Sequence, residues 1–180
     1  MKRPLAYYGA AVLRQKAPPV EAVTPEIRQL VADLIDSVDV DESVGVGLAA
    51  PQIHVSLRVF IIRLVDDGPD GQLIYHPATV YINPVLSDPS PETEELSEGC
   101  LSIPELSAPV RRPLAVTVEA MDLEGNRFTR RLEGYEARVA MHENDHINGV
   151  LYIDRVSEQE KRRLKTPLRE LRQKTQKEGL

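Results

Sequence analysis

The chain has 180 residues, 42% of them hydrophobic and 28% charged, which suits one globular domain and excludes a disordered or fibrous chain. Its net charge of −6 argues against a surface built to bind DNA or other nucleic acid as a whole. The single cysteine, Cys100, excludes an intrachain disulfide, and no apolar run approaches the roughly 20 residues of a membrane span. No signal-like segment opens the sequence, so a cytoplasmic location is expected.

In chain order, Thr24-Pro25-Glu26 reads as a helix start: a capping hydroxyl, proline in the first turn, then an acid. Ile27, Leu30, Val31, Leu34, Ile35 and Val38 follow at helical spacing and form one apolar face. Residues 58–65 read as a buried strand, and residues 80–83 as a shorter one stopped by Pro84. Residues 88–95 are polar and contain proline, so a surface loop is expected. Residues 114–122 and 127–132 flank a hairpin loop. A helix is expected from about Gly134 to Asn148, with Gly149 as its C-cap. Ser157-Glu158-Gln159-Glu160 has the form of a capping box, and the helix it opens should kink or break at Pro167. Strands in the middle with helices at both ends predict an α+β domain. Charge is uneven: from Arg155 onward there are nine Lys or Arg against four Asp or Glu, a net of +5 that leaves −11 on the body.

Three segments carry chemistry. His142 and His146 lie four positions apart on a predicted helix, one above the other, with Glu143 between them. Two imidazoles so placed can grip a divalent ion with the carboxylate beside it, although such pairs also occur as solvated helix residues. A catalytic site needs a third protein ligand and an open position. No histidine follows His146, and Cys100, within Glu98-Gly99-Cys100-Leu101-Ser102, is the soft donor left, or else a small core residue. Residues 45–52, with Gly45 and Gly47 one residue apart and Gln52 at the end, allow close approach by a ligand or form a tight buried turn. They lack the Lys and Ser/Thr of a phosphate loop.

Together the three segments resemble peptide deformylase, whose pattern of G-x-G-L-A-A-x-Q, E-G-C-L-S and H-E-x-D-H appears here in the same order. Tyr7-Tyr8-Gly9 and Val12-Leu13-Arg14 are also similar to that family's N-terminal segment. Met141 stands where the family usually has Gln, and His54 where Gly is common. The resemblance implies a single α+β domain with mixed or antiparallel sheets around a central helix bearing the two histidines. Residues 1–155 would form the catalytic part and residues 156–180 a basic helical extension of the same domain. It implies hydrolysis of the N-formyl group from the N-terminal methionine of nascent polypeptides, with release of formate.

By the same resemblance, Cys100, His142 and His146 bind one divalent ion, usually Fe(II), with Zn, Ni or Co as alternatives. Glu143 is the proton carrier, and Gln52 with the Leu101 backbone N–H stabilises the oxyanion. Val46, Gly47 and Gly99 pair with an extended substrate, and the basic C-terminal helix suits a ribosomal partner. Two other readings stand beside this one. A zinc peptidase would need a downstream carboxylate such as Glu170 or Glu178 as third ligand, and a metal-stabilised binding module would need neither Glu143 nor Gln52.

Overall fold

The computed structural model describes residues 1–39 and 44–178, apart from the side chain of Glu178. Helix α1 (Pro25–Ser37) begins after the extended Thr24 with proline in its first turn, as its sequence predicts, but the Thr24 hydroxyl makes no capping hydrogen bond. Strands β1 (Gly47–Ala49), β2 (Val59–Ile62), β5 (Thr79–Ser87), β8 (Ala115–Met121) and β9 (Arg127–Glu133) build one antiparallel sheet in the order β1-β2-β5-β8-β9. Between β2 and β5 a small hairpin is inserted, β3 (Val65–Asp67) with β4 (Leu73–Tyr75). A long hairpin, β6 (Thr93–Cys100) with β7 (Ile103–Pro113), forms a separate two-stranded sheet. Helix α2 (Gly134–His146) follows β9, and α3 (Glu158–Glu178) ends the described chain. Every strand pair is antiparallel.

The uninterrupted apolar run of β2 reflects burial on both faces. Val59 and Ile61 pack toward α1 with Leu30, Val31 and Leu34. Phe60 and Ile62 pack toward α2 with Val139 and Ala140. The sheet is thus sandwiched between α1 and α2. A third core joins the β6–β7 hairpin to α3 through Ile103, Val110, Tyr152 and Leu164. Helix α2 ends at His146, two residues short of the expected Asn148, and a turn over residues 147–149 closes on Gly149, whose positive φ of 72° lets the chain leave the helix.

Three expectations are corrected. Pro84 does not stop its strand; β5 runs through it because the ladder to β8 shifts register between Ile82 and Val85, where a missing N–H is tolerated. Residues 88–95 are not all loop, since β6 begins at Thr93. Pro167 does not end α3; it removes one hydrogen bond, to the carbonyl of the exposed Arg163, which water can satisfy.

Candidate metal centre and cleft

Helix α2 presents His142 and His146 on one face, their ring centroids 5.1 Å apart. Cys100 arrives from the last position of β6, at a break in the β6–β7 ladder between Gly99 and Cys100. The thiol and one nitrogen of each imidazole lie within 4.8 Å of one another, and Cys100 Sγ is 3.3 Å from His146 Nε2. Among the described residues this is the one such cluster of three. His54 lies elsewhere, exposed, as the left-handed residue that ends the short turn Ala50–Ile53. Glu170 is exposed on α3, away from the cluster.

The donors suit a cation. His142 donates from Nδ1 to Glu98 Oε2 at 3.0 Å, which fixes its ring and leaves Nε2 free to ligate. Burial works to lower the His142 pKa, but its contacts with Cys100 and Glu98 hold it well above the ordinary value, so the cluster draws positive charge. His146, 1% exposed, is kept neutral by burial and by His142, which is the form that binds a metal.

Glu143 is buried beside this cluster, and its Oε2 has no hydrogen-bond partner. Burial, with Glu98 and Asp145 nearby, pushes its carboxyl up to about 7 against the opposing pull of His142. The reason for glycine at position 47 is visible here. A Cβ there would stand 2.6 Å from Glu143 Oε1 and 2.9 Å from Val139 Cγ1. Gln52 is 2% exposed; its Oε1 accepts from the Ala49 N–H at 2.9 Å. That bond turns the NH₂ group toward Ser102 Oγ (3.3 Å) and Cys100 Sγ (3.6 Å).

A cleft of about 690 Å³ opens over these groups. Val46, Gly47, Gln52, Gly99, Cys100, Leu101, His142 and Glu143 are among the residues that line it, as are Tyr7, Tyr135 and residues 103–107. Of the sequence-predicted site residues, all but His146 line the cleft, and His146 lies directly beneath, against Cys100.

Around Glu98 and Asp145 lies an ion network that sequence patterns did not announce. Arg112 grips Glu98 with two bonds (2.6 and 2.9 Å) and reaches Asp145 at 3.0 Å. Arg138 adds a bond to Glu98 at 2.8 Å, and Arg155 closes on Asp145. Burial would raise the Glu98 pKa, yet Arg112 and His142 hold it well below the usual carboxylate range. Only the acids had a signal, Glu98 beside Cys100 and Asp145 between the histidines; the arginines are single residues with no spacing to mark them.

The chain is similar to proteins of one family. The family model described as polypeptide deformylase matches residues 2–162. A peptide deformylase of Rhizorhabdus wittichii is 43% identical over 146 residues, 81% of each chain. One of Brachyspira hyodysenteriae is 39% identical over 179 residues, 97% of this chain and 91% of its own. Among solved structures, the Plasmodium falciparum peptide deformylase superposes with a TM-score of 0.84 at 28% identity, covering 96% of both chains. The Thermotoga maritima enzyme gives 0.75 at 36% identity, covering 87% of this chain and 99% of its own.

Proposed function

This chain belongs to the polypeptide deformylase family, and on that premise we propose that Cys100, His142 and His146 hold its metal ion while Glu143 carries its proton. The reaction is that of the family: hydrolysis of the N-formyl group from the N-terminal methionine of newly synthesised polypeptides, releasing formate. The observation that supports the ligand set is the convergence of a β-hairpin thiol and two helical imidazoles within 4.8 Å. One divalent ion is required. Fe(II) is the proposed native ion, with Zn, Ni or Co able to substitute, because a set of one thiolate and two imidazoles accepts several metals.

When bound, such an ion serves as a Lewis acid that acidifies water and polarises a carbonyl. The residues around it do the rest. Glu143, with its carboxyl pushed up to about 7, takes a proton from the attacking water and passes it to the departing amine. The Gln52 NH₂, held in orientation by Ala49, and the Leu101 N–H donate to the oxygen that gains charge. The peptide lies extended against Val46, Gly47 and Gly99, pairing through main chain and so tolerating many sequences. A tight pocket beside Cys100 would leave no room for the methyl of an acetyl group.

Formate release from a formyl-methionyl peptide tests the assignment. Glu143→Ala should lower kcat by about 10²- to 10⁴-fold while metal content persists. Cys100→Ser should lose or weaken the metal; full retention would remove Cys100 from the ligand set.

We further propose that the enzyme works in the cytoplasm, and that residues 156–180 extend a catalytic part formed by residues 1–155. Among the described residues no helix is long and apolar enough to cross a membrane. The net +5 from Arg155 onward suits ribosomal RNA near the nascent-chain exit. Unchanged co-sedimentation with ribosomes after removal of residues 158–180 would defeat that docking.

A further inference from the structure

One wall of the cleft is not a regular strand. The β6–β7 ladder pairs Gly99 with Ser107 and then Cys100 with Ile103, so residues 104–106 bulge out of β7. Glu105 within the bulge takes a φ of 63°, and residues 104–107 line the cleft. A bulge leaves backbone groups outside the ladder that must find other partners. One carbonyl of the bulge and one at its edge are held by side chains from other elements. Tyr152, 1% exposed, donates its hydroxyl to the Leu106 carbonyl at 2.9 Å. Arg163 of α3 donates from Nη2 to the next carbonyl, that of Ser107. Leu106 itself packs into the third core with Leu164, Leu168 and Leu171 of α3. The Tyr152 ring also stacks beside His142, centroids 6.3 Å apart and planes 20° from parallel.

We propose that Tyr152 and Arg163 are positioning residues for substrate binding: by holding the Leu106 and Ser107 carbonyls they set the bulged wall at the width that grips the peptide beyond its methionine. This rests on the deformylase reading and on main-chain pairing at Gly99. The reacting end of the substrate sits at Cys100. Residues further along the peptide run past Gly99, whose ladder partner is Ser107. A loosened wall should therefore weaken the hold on the following residues and leave the chemistry at the formyl group alone.

The test uses metal-loaded enzyme with two substrates, formyl-methioninamide and formyl-Met-Ala-Ser. Tyr152→Phe keeps the ring beside His142 and deletes only the hydroxyl. Arg163→Ala, on the exposed side of α3, is an independent second variant. Each should raise KM for the longer substrate by about three- to tenfold, the scale of one lost hydrogen bond. Each should hold kcat, and KM for the short substrate, within about twofold. Calorimetric affinity for Met-Ala-Ser should weaken by the same factor as KM rises. Unchanged KM and Met-Ala-Ser affinity in both variants would overturn the inference, as would equal losses on the long and short substrates. A wild-type protein that releases no formate would instead sink the proposed reaction; Met-Ala-Ser binding would still judge the wall.

Discussion

Gly47 is where a single missing carbon has the sharpest consequence. Its backbone passes so near α2 that an added Cβ would press on Glu143 Oε1 and Val139. Gly47→Ala should therefore leave the fold and the proposed metal ligands in place and displace Glu143, the proposed proton carrier. We expect kcat to fall by about ten- to a hundredfold, the usual cost of misplacing a reacting group by an ångström, with little change in metal content. A crystal structure of the variant with Glu143 unmoved would refute the account. At this scale the sequence was informative wherever chemistry demands a rare side chain at fixed spacing. The histidines declare themselves by lying one helical turn apart, and Cys100 by being the lone thiol. Arg112, Arg138 and Tyr152 were illegible because their roles depend on neighbours 14, 40 and 46 residues away.

Among the elements, α1 and β2 were readable because each buries a periodic or continuous apolar set against the sheet core. The β6–β7 hairpin was not. Of β6, only Glu98 is buried, so no hydrophobic alternation marks the strand. Prolines at 104, 109 and 113 punctuate β7. What holds this hairpin to α2 is the charged network rather than an apolar stripe. Removing one member strands the others without solvent. Arg112→Ala should destabilise the protein by about 3 to 5 kcal/mol, the cost of breaking a buried pair, read as a lower midpoint in urea. A loss below about 1 kcal/mol, the range of exposed pairs, would show that water reaches Glu98.

For the molecule as a whole, tyrosine burial sets an alkaline limit. Burial pushes the Tyr81 hydroxyl up to about 12, while Arg130, which donates to it at 3.1 Å, pulls the other way. Unfolded, the same group ionises near 10. Between those values the unfolded chain has given up a proton that the folded chain keeps, so stability falls as pH rises. Tyr81 should contribute a loss of roughly 2 kcal/mol from pH 10 to pH 12, and the buried Tyr152, whose hydroxyl is also pushed up by burial, adds to it. Tyr81→Phe should make that slope shallower in chemical denaturation series; an unchanged slope would assign the effect elsewhere. The α+β class was legible from the order of helical and strand patterns, but the split into a five-stranded sheet and a separate hairpin was not, because strand partners are chosen by packing between distant segments.

The sharing of Glu98 among Arg112, Arg138 and His142 bears on the timing of maturation. During synthesis the thiol emerges more than forty residues ahead of the imidazole it must join. His142 gains the bond that aims its ring only when the hairpin has docked on the helix and brought its carboxylate. On the proposed ligand set, ion capture then comes last, as a check that only a finished fold can pass.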